Sequence, residues 1–256
     1  MNLIASLIIL TSFQTPGTVS QTVAPVTPAG LISKMMSNYA SCTEMSGKIV
    51  LTVKVENLTQ VTTTNFQFER PSKLYIYQTR EDPEGGTWIV TSDGQTFSYP
   101  APSNFLTNKG QRLFEPVSAP GQLPMNIQKI YAACKDSLVD FSVPMSISIS
   151  WLDELRRIKA RWLSMSLAGT GIIDDQNCYR ITGDYSDSYG PPAMGQFELD
   201  INDNSEIVKY AESEFVGAPS SVKTKSAPVK VVATWDCDLK PNSKVDETLF
   251  KVLLKK

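Results

Sequence analysis

Phe66-Gln67-Phe68-Glu69-Arg70-Pro71-Ser72-Lys73-Leu74-Tyr75-Ile76-Tyr77 alternates apolar and polar residues on both sides of an Arg-Pro step. Residues two apart in an extended chain point to the same face. Proline cannot donate to a strand ladder, so the stretch reads as two strands, Thr64 to Arg70 and Lys73 to Thr79, with a turn at Pro71. Downstream, Glu81-Asp82-Pro83-Glu84-Gly85-Gly86 is a turn cluster that leads into Trp88-Ile89-Val90, the Ser92-Asp93-Gly94 turn and Thr96 to Tyr99. Asp-Gly between apolar strands is a strong hairpin signature. Phe66, Phe68, Leu74, Ile76, Trp88, Val90, Phe97 and Tyr99 therefore form one apolar, aromatic sheet face.

The same alternation appears upstream in Ile49, Leu51, Val53 and Val55, with Lys48, Thr52, Lys54 and Glu56 on the wet side. Before it, Thr27-Pro28 starts a helix with Leu31, Ile32, Met35, Met36 and Tyr39 as its apolar stripe. Pro100 to Pro124 is rich in proline and reads as a long loop joining two halves of one sheet. A helix fits Pro124 to Cys134. Ser150-Trp151-Leu152-Asp153 has the form of a capping box opening a second short helix, its acids Asp153 and Glu154 preceding Arg156, Arg157 and Lys159. Strand patterns return at Leu163 to Leu167, Cys178 to Gly183, Phe197 to Ile201, Ile207 to Ser213 and Val229 to Trp235, and Thr248 to Leu253 is a short apolar finish. Roughly ten strands and three helices, with neighbours joined by tight turns, predict an α+β fold with a meandering antiparallel sheet and covering helices.

The chain of 256 residues carries 24 Lys and Arg against 26 Asp and Glu, a net charge of -2, which disfavours a nucleic-acid binder. Histidine is absent, which removes Ser-His-Asp and Cys-His catalysis and His-ligated zinc together. No Gly-rich phosphate loop and no G-x-S-x-G occurs. Asp200, Asn202 and Asn204 superficially follow a calcium loop, but Ser205 stands where that loop needs Gly and Ala211 where it needs Glu, so a hairpin turn is expected. The residues assemble no reaction centre: the expectation is a protein that is not an enzyme and has no cofactor or metal.

Leu3 to Leu10 is an apolar run of about eight residues, far short of the ~20 that span a bilayer, and the first charge is Lys34. The run suits a secretory signal over residues 1–20, followed by a flexible segment, 21–27, and one domain, 28–256. No Lys or Arg precedes the run, so a disordered apolar N-terminus is the competing reading. Four cysteines, Cys42, Cys134, Cys178 and Cys237, fit two disulfides in an exported chain or buried free thiols. Cys178 with Cys237, both on late strands, and Cys42 with Cys134 are the pairs expected if bridges form. Periodicity alone does not distinguish a packed face from one that encloses a cavity.

Phe66 to Leu74, Trp88 to Val90, Ser92-Asp93-Gly94 and Tyr99-Pro100 resemble the first half of the LolA/LolB-like superfamily of bacterial envelope proteins. Pro228 to Thr234 and Val245 to Phe250 are similar to that family's last strand and terminal Phe. Trp151 to Leu155 and Cys178-Tyr179 resemble a branch of periplasmic proteins with this fold. The resemblance covers about residues 28 to 252. It implies an antiparallel half-barrel with helices as a lid, an apolar cavity for lipid or lipoprotein acyl chains lined by the eight residues above, and Arg70 near the mouth or lid. A surface cation before a turn is the alternative role of Arg70. The resemblance also implies a periplasmic carrier with no stable membrane insertion, or an envelope sensor that engages a protein partner.

Overall fold

The computed structural model describes residues 25–252 apart from 82–84, 109–110, 121–125, 135–136, 139–142, 150–155, 157–158, 188–192 and 217–227. Its strands are β1 (Glu44–Val55), β2 (Leu58–Glu69), β3 (Lys73–Arg80), β4 (Gly86–Asp93), β5 (Thr96–Asn108), β6 (Gln111–Pro120), β7 (Ser166–Ile173), β8 (Gln176–Asp187), β9 (Ala193–Asn202), β10 (Ile207–Val216) and β11 (Val229–Pro241). They form one open sheet in the order β5-β6-β4-β3-β2-β1-β11-β10-β9-β8-β7. All pairings are antiparallel except a short parallel contact of Gly86 and Thr87 with Arg112 and Leu113. The expected α+β architecture is observed, with eleven strands rather than ten.

Two consecutive meanders, β1 to β4 and β7 to β11, meet where β1 pairs with β11 from Met45↔Pro241 to Val55↔Val231. This long-range pairing, and not a connecting loop, unites the halves. The stretch read as a loop, Pro100 to Pro124, is instead mostly the β5–β6 hairpin. Pro100 and Pro116 oppose each other in its register, which shifts between Pro100 and Phe105, and Pro120 stands at its open end opposite Thr96; proline is tolerated at strand ends and irregularities.

Helices α1 (Pro28–Ser41), α2 (Ile127–Cys134) and α3 (Val143–Ile149) lie against the concave face. Thr27 accepts the Gly30 amide at 3.1 Å and Pro28 opens the first turn, as its sequence predicts. Helix α3, Val143–Ile149, has no counterpart in the sequence expectation; the expected capping box at 150–153 lies outside the described residues, and Arg156, Lys159 and Ala160 after it are helical. Ile32, Met35, Met36 and Tyr39 of α1 and Ile127, Ile130 and Tyr131 of α2 join the sheet face in one core. Gly47 is required where the halves meet, because a Cβ there would stand 2.6 Å from the Phe66 ring and 2.9 Å from Leu239.

The convex face is partly covered by the C-terminal segment. Asn242 donates its amide to the Glu44 carbonyl at 2.8 Å, and Asp246 donates its amide to Gln67 Oε1 at 2.7 Å. The expected apolar finish is a short 3-10 helix, Glu247–Phe250, whose Phe250 is buried beneath Lys73.

Candidate functional site

The eight residues expected on one face share it. Phe66 opposes Ile76, which opposes Val90, and Phe68 opposes Leu74. Seven of the eight are at most 6% exposed, and Tyr99 is half-buried against the same cluster. Phe66 stacks on Phe68 with ring centroids 6.5 Å apart, and Phe97 on Tyr99 at 5.5 Å. The helices close over this half of the face.

Arg70 sits at the C-terminal end of α1. Its Nε donates to the Cys42 carbonyl at 2.7 Å and its Nη2 to the Tyr39 carbonyl at 3.4 Å, while the guanidinium lies 5.1 Å above the Phe68 ring. A cation at a helix C-terminus meets the negative end of the helix dipole. Burial lowers the Arg70 pKa from the usual arginine value. Across the sheet, Tyr39 Oη accepts the Ile207 amide at 2.8 Å, and Asn38 donates to the carbonyls of Asn204 and Ser205. Helix α1 is thus latched to both halves of the sheet.

Toward the opposite strand ends the concave face turns polar. Thr62 and Thr64 of β2 are buried, in period with Phe66 and Phe68, and so is Gln78 of β3, which donates to Thr64 Oγ1 at 3.0 Å. Thr62 and Thr64 continue the period of two that Phe66 and Phe68 set, which is the signal in the sequence that marks them. On the other half Trp162, Phe197, Tyr210 and Trp235 form a run of rings with successive centroids 5.2 to 6.3 Å apart. Trp162 Nε1 donates to Tyr210 Oη at 3.2 Å, Tyr210 donates to Glu212 Oε1 at 2.7 Å, and Arg161 Nη2 pairs with the same oxygen at 3.2 Å. Burial first, and the Glu212 charge second, push the Tyr210 pKa well up. One lateral row of this face runs Glu212, Ala233, Val53, Gln60, with Ala233 and Val53 half-buried against the core. No short-range pattern marks Arg161 or Glu212.

Gly183 makes the Arg161–Trp162 placement possible. The segment 161–164 lies along β8, with Ser186 donating its amide to the Arg161 carbonyl at 2.9 Å and Leu163 donating its amide to the Asp184 carbonyl at 2.8 Å. A Cβ at position 183 would run into the Ser164 carbonyl.

All four cysteines are free thiols in the structure. The expected Cys178–Cys237 bridge is contradicted by topology. Strands β9 and β10 lie between β8 and β11, three spacings of about 4.8 Å, roughly twice the ~7 Å Cα limit for a disulfide. The two residues also face opposite ways: Cys178 is two residues from Arg180 of the convex face, and Cys237 two from Trp235 of the concave one. Cys42 is engaged locally instead, donating to the Glu44 carbonyl at 2.6 Å and accepting the Asn242 amide at 3.3 Å. Burial pushes the Cys134 thiol up to about 12.

Asp200 and Asn202 belong to a hairpin, as expected. Arg180 holds Asp200 through two contacts of 2.8 and 3.2 Å, and Asn202 accepts the Glu206 amide at 2.8 Å. Among the described residues no group of three Cys, Asp or Glu is arranged to hold a metal ion. A convex cavity of about 360 Å³ between the C-terminal segment and the sheet is lined in part by Lys48, Asn65, Tyr75 and Lys240.

No protein-family description and no curated protein matches the chain. Solved structures do. The chain is similar along most of its length to structures that include a LolA superfamily protein and two mycobacterial proteins. The first, from Nitrosomonas europaea, is 11% identical, with 89% of this chain and 99% of that one covered and a TM-score of 0.32. The lipoprotein LppX of Mycobacterium tuberculosis matches at 12% identity over 86% and 98%, with a TM-score of 0.42. LprF of Mycobacterium bovis matches at 12% over 84% and 93%, with a TM-score of 0.41.

Proposed function

We propose that this chain is a non-enzymatic, exported carrier or binder of lipid or lipoprotein acyl chains, working in the bacterial periplasm. The observation that supports it is the concave face: one apolar cluster spans both halves of the open sheet, beneath α1, α2 and α3, with Arg70 latching α1. An acyl chain and the apolar faces of α2 and α3 compete for the same strand residues. The energy suffices, since ~0.8 kcal/mol per CH₂ gives a sixteen-carbon chain ~12 kcal/mol before entropy costs. The apolar run Leu3 to Leu10 supports export, and among the described residues no helix is long and apolar enough to cross a membrane.

Native mass spectrometry of protein purified from the bacterial envelope without detergent tests the reading. Co-purifying lipid mass, or uptake of a fluorescent fatty acid, is the expected result. A bare mass with no uptake overturns it.

A second reading, an envelope sensor or interaction module, draws on β7. This edge strand is exposed along nearly its whole length and carries no charge, and such an edge accepts an added strand from a partner. Under this reading, capture of an envelope protein is indifferent to lipid.

A further inference from the structure

We infer that the convex cavity beneath the C-terminal segment binds a neutral, hydroxyl-rich ligand, a saccharide unit. The cavity lies on the face of the sheet opposite the proposed acyl-chain site, so this ligand is separate from the lipid and does not depend on it.

The cavity of about 360 Å³ falls within the ~300–1,000 Å³ range of small-ligand sites. Its floor is two rows of side chains on the central strands. Lys240, Ser46, Gln67 and Tyr75 oppose one another in turn across β11, β1, β2 and β3. Asp238, Lys48 and Asn65 form the second row, two residues along each strand and so on the same face. The C-terminal segment is pinned over the first row. The Ser46 and Ser243 hydroxyls meet at 2.8 Å, and Gln67 Oε1 accepts the Asp246 amide at 2.7 Å. Leu249 of the 3-10 helix adds an apolar wall.

The charges of this lining select the ligand class. Asp238 stands directly opposite Lys48, yet its carboxylate pairs with Lys240 at 3.2 Å. Among the described residues the side chains of Lys48, Asn65 and Tyr75 make no hydrogen bond or ion pair. A simple anion would meet Asp238, and a simple cation would meet Lys48 and Lys240. A sugar carries no charge, and each of its hydroxyls both donates and accepts. It therefore uses both signs: Asp238 accepts, Lys48 and Lys240 donate, and Asn65 and Tyr75 do either. Leu249 and the Tyr75 ring offer apolar surface to the C–H face of the sugar.

The test is titration of the isotopically labelled full chain with the methyl glycosides of glucose, galactose, mannose and N-acetylglucosamine, read from backbone amide shifts. At least one is expected to saturate with a dissociation constant of about 1 mM, as suits so small a ligand. It should shift the amides of 46–48, 65–67 and 238–240. Asp238→Ala should weaken that glycoside about tenfold or more, and Asn65→Ala severalfold. Both residues are exposed, and an otherwise unchanged amide spectrum shows that each variant is folded. Lys54→Gln, on the same face of β1 outside the cavity, should leave the affinity as it was. Propionate and propylammonium, as charged probes, should bind more weakly than the best glycoside. Oleate added first should leave the glycoside titration unchanged. No saturable shift with any glycoside, tighter binding of either charged probe, or an affinity that survives both Asp238→Ala and Asn65→Ala overturns the inference. Competition by oleate shows one shared site in place of two, and overturns it as well.

Discussion

The β2–β4 half of the sheet and its β7–β8 end belong to one antiparallel sheet, yet they are held in opposite ways. Phe66, Phe68, Leu74, Ile76 and Val90 are enclosed by helices on the concave side, while the C-terminal segment crosses the convex side at Gln67 and Lys73. Among the described residues strand β7 has neither cover: Ile172 is 74% exposed, and the strand pairs there with β8 alone. Burial on two faces makes one region the stable core of the molecule. The other depends on backbone pairing and on the clasp of segment 161–164 against β8.

The largest expected effect is in the covered half. Phe68→Ala removes a fully buried ring from beneath Arg70 and should cost roughly 3–5 kcal/mol in a denaturant melt. A cost no greater than that of a β7 substitution would end the contrast. Gly183→Ala attacks the other half at its clasp. The added methyl meets the Ser164 backbone, so a loss of about 1–3 kcal/mol is expected, together with a changed Trp162 emission while the β2–β4 amides keep their hydrogen-exchange protection.

A smaller effect comes from Asp93 in the Ser92-Asp93-Gly94 turn. Partial burial opposes its ionisation, but the Thr96 and Gln95 amides, both at 2.7 Å, outweigh it and lower its pKa. Its folded pKa lies below the unfolded value, so its contribution is present above about pH 4 and is lost as pH falls through the folded pKa. Asp93→Asn should flatten the acid limb of a stability-against-pH curve, and an unchanged limb would refute the role. The smallest effect belongs to Ile172→Thr on β7, expected within about ±0.5 kcal/mol. A larger loss by thermal melt would show that this edge is covered in solution.

Much of the fold was legible because much of it is local. Phe66 and Phe68, like Leu74 and Ile76, are two residues apart, and that spacing settles which residues share a face whatever the rest of the chain does. The turn at Asp93-Gly94 and the cap at Thr27-Pro28 are equally short-range. The β5–β6 hairpin was not legible, because its prolines are acceptable only at strand ends and irregularities, and where those fall is set by the pairing partner. The polar end of the concave face was legible at Thr62 and Thr64, by extending one period. Arg161 and Glu212, 51 residues apart, had no such marker.

By itself the amino-acid order determined the α+β class, the antiparallel meander and the aromatic face from Phe66 to Tyr99, since period-two patterning and tight turns act over a few residues. Only the tertiary structure decided that β1 pairs with β11, that Cys178 and Cys237 lie on opposite faces three strands apart, and that Arg70 ends α1. It also brought Arg161, Tyr210 and Glu212 into one hydrogen-bonded group. Those outcomes depend on which strands become neighbours, and that is selected by burying the whole concave face at once, a cooperative requirement that no single segment contains.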